Sequence, residues 1–102
     1  MDKIFVIVKR PGCMPETEYI DNTLEEFQRL VGGYIEVLDL ATDLAIICNE
    51  EGRLMDLEYN CNICGVSFVG TIVLVRTKRG EFASAPSLGY MRRLLPQLWT
   101  EV

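Results

Sequence analysis

The chain has 102 residues, of which 49% are hydrophobic, and its formal net charge is −5. This length supplies one hydrophobic core and is too short for two domains of ordinary size, so we expect a single domain over residues 1–102. The negative charge argues against non-specific binding to nucleic acid or to an anionic membrane surface, and no apolar run approaches the ~20 residues of a membrane-spanning helix.

The chain enters its first apolar run directly. Met1, Asp2 and Lys3 precede that run with no basic leader and no small-residue cleavage site, so we expect no secretion signal. We therefore expect a cytoplasmic protein, whose four cysteines remain thiols unless they bind a metal or act in redox chemistry.

The first apolar run predicts a central strand. Residues 4–8 are β-branched or aromatic without alternation, which is typical of a strand buried on both faces, and they end at a turn cluster, residues 9–12. Residues 16–20 alternate weakly and predict a short extended segment.

A short helix is predicted after this extended segment. Asn22 can form a capping box with Glu25, which satisfies unpaired amide groups at a helix start. Thr23 with Glu26 offers the same arrangement one residue later. Apolar side chains recur on one face of the segment that follows, at Leu24, Phe27, Leu30 and Val31. The glycine pair at 32–33 supplies the left-handed conformation that ends a helix.

A β-hairpin is predicted next. Residues 34–40 alternate between apolar and polar side chains, residues 41–43 are short enough for a hairpin loop, and residues 44–48 are a more buried returning strand. We expect these two strands to pair antiparallel. Residues 53–60 show no clean period and predict a loop or a short helix.

The last part of the chain predicts a strand and a helix. Residues 66–75 have the pattern of one strand interrupted at Gly70, where we expect a bulge or the close approach of another backbone. An amphipathic helix opens near Ser84 or Pro86, and Pro96 kinks it or ends it early. Its apolar positions are Leu88, Met91, Leu94, Leu95, Leu98 and Trp99. The predicted fold is α+β, one small domain with an antiparallel or mixed sheet of four to five strands covered by two helices.

Several segments of the chain together resemble a known family. These segments are residues 20–28 (IDNTLEEFQ), 30–37 (LVGGYIEV), 44–52 (LAIICNEEG) and 69–71 (VGT), with Asn60 between the last two. They are similar to the family of small domains of unknown function DUF3846, encoded largely by bacteriophages, plasmids and other mobile elements. The resemblance implies a genetic setting rather than a mechanism. Small mobile-element proteins without catalytic residues often counter host defences by blocking a protein or by sequestering a nucleotide signal, and that analogy sets our expectation.

No catalytic constellation is recognisable. The chain has no histidine, no Gly-x-Ser-x-Gly nucleophile elbow and no Gly-x-x-x-x-Gly-Lys phosphate loop. Its acidic residues fall mostly in helix caps and solvated turns, at Asp21, Glu25, Glu26, Glu50 and Glu51. We predict a protein that is not an enzyme, has no catalytic residues and needs no cofactor.

Cys61 and Cys64 have the spacing of a zinc knuckle or a redox pair. Zinc requires four ligands, however, and only Cys13 and Cys48 remain to supply thiolates, from distant segments. A redox pair opens a helix and has a lowered thiol pKa, whereas this pair leads into a strand. We predict no metal site and two small apolar side chains beside a loop. A small zinc or redox protein is an alternative.

Basic residues follow two predicted buried strands. If these strands are parallel neighbours, both clusters lie at the same edge of the sheet and can hold a phosphate, with a tyrosine to stack on a base. The predicted ligand-binding residues are Lys9, Arg10, Tyr34, Arg76, Lys78 and Arg79, with Tyr90 as a further stacking candidate. We expect the protein to sequester a small anionic, nucleotide-like ligand. The alternative is that these side chains are exposed turn residues.

The apolar stripe of the C-terminal helix offers a second route to function. Most of it should be core, because a sheet in a small domain needs helix cover. If its end past Pro96 is uncovered, it forms an interface with a host protein, or with a second copy of the chain in a homo-oligomer. The predicted interface residues are Met91, Leu95, Leu98 and Trp99. A protein–protein inhibitor of a host defence or regulatory protein is therefore an alternative to ligand sequestration.

Overall fold

The structure, a computed structural model, describes residues 2–102. In chain order the secondary-structure elements are β1 (Lys3–Lys9), β2 (Glu16–Asp21), α1 (Leu24–Val31), β3 (Ile35–Ala41), β4 (Leu44–Asn49), β5 (Tyr59–Ile63), β6 (Val66–Val69), β7 (Ile72–Lys78), β8 (Glu81–Ala83), α2 (Leu88–Leu94) and α3 (Gln97–Thr100). The predicted α+β fold is confirmed. Among residues 2–102, no helix reaches the length and apolar character of a membrane span.

Most of the strands join one antiparallel sheet. Its order is β2-β1-β7-β4-β3, with β8 paired to the end of β7. β1 and β4 have neighbouring strands on both sides, and the helices and the β5–β6 hairpin cover both faces of the sheet. This burial explains the continuous apolar sequences of the two strands. β5 and β6 pair with each other in a separate hairpin. Of the predicted alternatives, an antiparallel or a mixed sheet, the sheet is antiparallel. Residues 2–102 contain a six-stranded sheet, a two-stranded hairpin and three helices, more elements than the four to five strands and two helices predicted.

The sheet buries apolar side chains on both faces. Since successive side chains of a strand point to opposite faces, Val6 and Val8 pack with α1, whereas Ile7 faces the other layer. The side chains that α1 buries are Phe27, Leu30 and Val31. The opposite layer is supplied by α2, α3 and the β5–β6 hairpin through Cys61, Phe68, Met91, Leu95 and Leu98. The hairpin therefore covers the same face of the sheet as the C-terminal helices.

Helix α1 is capped at both ends. The Oγ1 atom of Thr23 accepts a hydrogen bond from the amide of Glu26 at 3.3 Å. The carboxylate of Glu26 binds Arg29 at 2.7 Å instead of returning to the cap, so only half of the predicted capping box forms. The helix ends at Gly32, whose φ of 79° is the left-handed conformation expected there.

Residues 66–75 form two strands rather than one. β6 and β7 belong to different sheets and meet at Gly70, whose φ is 73°. A Cβ at this position would lie 2.7 Å from Cδ1 of Leu57, so the expected close approach exists but involves a side chain. The single-strand prediction is wrong because the left-handed residue turns the chain from one sheet into the other. The sequence pattern also does not predict β5. The turn between β5 and β6 has Cys64 and Gly65 at positive φ, whereas Asn-Gly is the usual sequence signal for such a turn.

The C-terminal helix breaks at the predicted proline. α2 ends at Leu94, and α3 starts after Pro96. Proline lacks the amide hydrogen that a continuing helix needs and pushes the preceding residue out of the helical conformation. That residue, Leu95, has φ −131°. The break turns the chain so that Leu98 returns to the core.

Candidate functional site

The two basic clusters do not converge. β1 and β7 are neighbours, as the predicted anion site required, but they run antiparallel, with Lys9 opposite Ile72. Arg76 lies four positions farther along β7, about 13 Å from that point, and is opposite Leu44. The prediction that both clusters share one edge of the sheet is therefore wrong, because it depended on parallel strands.

Lys9 and Arg10 are engaged in internal contacts. The side chain of Lys9 is fully buried, and its Nζ donates to the carbonyl oxygens of Glu101 at 2.9 Å and Arg10 at 3.3 Å. The guanidinium of Arg10 binds the carboxylate of Glu18 at 2.7 Å. Lys9 shares the face of β1 that carries Ile7, which is why alternation takes it inside.

The other predicted ligand residues are exposed but spread out. Arg76, Lys78 and Arg79 surround the β7–β8 turn, and Arg76 lies 4.0 Å from Asp43. Arg79 lines a shallow groove of about 620 Å³. Tyr34 lies before the start of β3, far from Arg76. The other end of β3 is the end near Arg76, because Ala41 pairs with Leu44 and Leu44 is opposite Arg76. Tyr34 therefore cannot stack on a base held at that turn.

The predicted C-terminal interface is mostly core. Met91, Leu95 and Leu98 are buried against β4, β5 and β7, and Trp99 is partly buried against the same cluster. The interface prediction is wrong for the three buried side chains, because Met91 and Leu95 pack in the core cluster and the break at Pro96 turns Leu98 inward. The large apolar side chains that α2 exposes are Tyr90 and Leu94.

Cys61 and Cys64 point in different directions. The Cys61 side chain is buried in the core, whereas Cys64 lies exposed in the β5–β6 turn. Desolvation by burial raises the pKa of the Cys61 thiol to about 11, and that of Cys48 likewise to about 11. A redox-active thiol needs the opposite shift. No group of three or more His, Cys, Asp and Glu side chains within residues 2–102 is placed to hold a metal ion.

A groove lies between the main sheet and the β5–β6 hairpin. We call it the β3–β6 groove; its volume is about 270 Å³, and β3, the end of β4, the turn at 50–54 and all of β6 line it. Its apolar side chains include Leu38, Leu54, Val66 and Phe68. Leu54 is 85% exposed and Val66 43% exposed, so the rim of this groove is exposed apolar surface.

The β3–β6 groove is acidic. Glu36, Glu50 and Glu51 are exposed along it, and among residues 2–102 none of them takes part in an ion pair. Within residues 2–102 the cation of the lining is Arg53, which donates from Nη2 to the carbonyl oxygen of Ser67 at 2.8 Å. In this part of the chain three carboxylates thus stand against one guanidinium, and the potential of the groove favours a cation.

The turn at 50–54 is held in place by a buried amide. The side chain of Asn49 accepts from the Glu51 amide at 2.8 Å and donates to the carbonyl oxygen of Val31 at 3.1 Å. Asn49 is 6% exposed. Gly52 lies so close to β6 that an added Cβ would be 2.9 Å from Cγ2 of Val69. The acidic turn is therefore a fixed wall of the groove.

The sequence pattern does not predict this groove. It indicates solvated turn residues at Glu50 and Glu51, and no function for residues 53–60. The available signal was Leu54 with Met55, two large apolar side chains in a segment without helical or strand period. Such side chains are not buried by an element of their own, and both are exposed in the structure.

Comparison with known proteins finds a matching family model. The family model described as "Domain of unknown function (DUF3846)" matches residues 2–95. This range contains every residue of the β3–β6 groove. No curated protein and no solved structure matches the chain.

Proposed function

The chain belongs to this family of domains of unknown function, and we propose that it is a non-enzymatic binding domain whose β3–β6 groove holds a cationic and apolar segment of a partner protein. In the mobile-element setting that the sequence resemblance implies, the partner is a host defence or regulatory protein of the cytoplasm. The protein acts by occupying that partner.

One observation supports this proposal most strongly. Glu36, Glu50 and Glu51 stand unpaired, within residues 2–102, beside the exposed side chains of Leu54 and Val66. Lysine or arginine side chains of a partner gain from these carboxylates, while aliphatic side chains bury the apolar rim. An anionic nucleotide would be repelled by the same charges. The groove thus favours a protein partner over the nucleotide ligand expected from the sequence.

Selection from a random peptide library tests this function. We expect peptides captured by the wild-type protein to be enriched in lysine or arginine near aliphatic residues. The variant Glu36→Gln, Glu50→Gln, Glu51→Gln should lose them. A matched variant, Glu16→Gln, Glu25→Gln, Glu81→Gln, changes the total charge equally at exposed sites outside the groove and should keep them. Peptides without a charge bias, or equal capture by both variants, would contradict the proposal.

Sequestration of a small anionic ligand is a second candidate, at the β7–β8 turn. Among residues 2–102 neither Lys78 nor Arg79 is in an ion pair, and the hydroxyl side chains of Thr42 and Thr77 line the groove of Arg79. It ranks second because Asp39 lines that groove too. Titration with a panel of cyclic and ADP-ribose-type nucleotides tests it; binding should fall in an Arg76→Ala, Arg79→Ala variant, and unchanged binding would exclude the site.

A further inference from the structure

Both outer edges of the β5–β6 hairpin are occupied by side chains. Asn62 and Ser67 are opposite each other in the register, and their contacts with side chains outside the hairpin mark them as a non-hydrogen-bonded pair of the ladder. The Asn62 amide donates to Oε2 of Glu101 at 2.9 Å, and the Ser67 carbonyl accepts from Arg53 at 2.8 Å. In an antiparallel pair such residues direct their amide and carbonyl groups outward, away from the partner strand. Each outer edge therefore binds a side chain where a further strand could pair.

The free edge of β6 forms a wall of the β3–β6 groove. Outward-directed residues alternate along a strand, so Val69 shares the direction of Ser67. On the inward side, Gly70 donates from its amide to the carbonyl of Glu58 at 2.7 Å, which fits this alternation. Both Ser67 and Val69 line the groove. The groove thus offers an unpaired strand edge as well as carboxylates and apolar side chains.

The two edges of the hairpin are closed to different degrees. On the β5 side, Glu101 also accepts from the Tyr59 hydroxyl at 2.5 Å, and its carbonyl binds the buried Lys9. On the β6 side the Ser67 carbonyl is covered by one exposed side chain, that of Arg53. A single flexible guanidinium is displaced far more easily than a partly buried segment held by several hydrogen bonds. The β6 edge is the one that a partner can reach.

We propose that the partner segment binds as an extended strand added to β6, with its backbone amide replacing the Arg53 guanidinium at the Ser67 carbonyl. This inference rests on the function proposed for the groove and names its mode of recognition. Strand addition obtains affinity from main-chain hydrogen bonds and specificity from alternate side chains. In the free protein the Arg53 side chain covers this edge of β6.

The side chains of β3 define which segment fits. Glu36 and Leu38 are two positions apart on β3, so they project from the same face of the sheet, the one that the hairpin covers. A bound strand likewise presents every second side chain to that face. The matching segment carries a cationic and an aliphatic residue two positions apart.

Backbone methylation of a probe peptide tests this mode without changing the protein. The probe is a short peptide that repeats Lys-Ser-Val-Ser with blocked termini, so that lysine and valine lie two positions apart, and its binding is followed by fluorescence anisotropy. Two isomers carry N-methyl groups either on all lysines and valines or on all serines. Because a paired strand directs alternate amides to its neighbour, one isomer should bind about tenfold more weakly than the other. Arg53→Ala should bind the parent peptide more tightly than Arg93→Ala, which removes the same charge elsewhere.

The outcomes separate this inference from the function on which it rests. Equal affinity of the two methylated isomers, with binding still lost in the Glu36→Gln, Glu50→Gln, Glu51→Gln variant, would overturn strand addition and leave the acidic groove as the binding site. Equal binding of the parent peptide to wild type and to that variant would overturn both. A tighter complex with Arg53→Ala and a difference between the isomers would support both.

Discussion

Lys9 and Glu101 are 92 residues apart in sequence, yet Nζ of Lys9 donates to the carbonyl oxygen of Glu101 at 2.9 Å. This contact ties the segment after α3 to the end of β1. The carboxylate of Glu101 also accepts hydrogen bonds from Tyr59 and Asn62 of β5. The polar cluster around Lys9 therefore joins three parts of the chain and leaves the ammonium no role in binding an anion.

Replacement of Lys9 by methionine should destabilise the fold. The substitution keeps an unbranched side chain in the buried space but removes the donor for two carbonyl oxygens. We expect a loss of about 1–3 kcal/mol in the free energy of unfolding, measured by urea denaturation. Binding at the β3–β6 groove should not change. A variant as stable as the wild type would show that the ammonium does not hold the C-terminal segment.

The contribution of Glu101 to stability should depend on pH. The hydrogen bond from the Asn62 amide, and to a smaller extent the one from the Tyr59 hydroxyl, hold the pKa of Glu101 below its usual range. A carboxylate with a lower pKa in the folded state stabilises the fold above its unfolded pKa, and this contribution is lost as pH falls through the folded pKa. The difference in Tm between wild type and Glu101→Gln should thus be present at neutral pH and shrink in acid. A constant difference would contradict this assignment.

The four cysteines should fall into two reactivity classes. Cys13 and Cys64 are exposed, whereas Cys48 and Cys61 are buried and have their pKa raised to about 11 by desolvation. At neutral pH a thiol reagent should modify the first two quickly and the second two only after unfolding. Fast modification of Cys61 in the folded protein, or tight binding of zinc by the pair Cys61 and Cys64, would restore the metal or redox alternative.

Asn49 should control the acidic wall of the groove. Asn49→Ala leaves the Val31 carbonyl and the Glu51 amide without their partner, which should cost about 1–3 kcal/mol of unfolding free energy. Asn49→Asp keeps an acceptor for the Glu51 amide, but it buries a carboxylate against the Val31 carbonyl oxygen, so it should destabilise at least as much. Denaturation curves and peptide affinity should fall together in Asn49→Ala. Full affinity in this variant would mean that the turn holds its shape without the buried amide.

Local sequence patterns predicted the elements that local physics decides. The continuous apolar run of β1, the Thr23 cap with Gly32 and the break at Pro96 each depend on neighbouring residues. The division of residues 66–75 between two sheets depends on tertiary pairing and on the left-handed conformation of Gly70, which an unbroken apolar run conceals.

The site depended on information that local patterns do not carry. An interior strand has the same apolar run whether its neighbours are parallel or antiparallel, so the convergence of Lys9 with Arg76 could not be decided from sequence. The β3–β6 groove joins β3 to the turn at 50–54 and to β6, segments whose contact only the fold reveals.

The most direct test of the account measures the affinity of the peptide that repeats Lys-Ser-Val-Ser at several salt concentrations. We predict that Glu36→Gln, Glu50→Gln, Glu51→Gln binds it about tenfold or more weakly than Glu16→Gln, Glu25→Gln, Glu81→Gln. The gap should narrow as salt screens the charges. Equal affinity of the two variants at low salt would contradict the claim that the β3–β6 groove is the binding site.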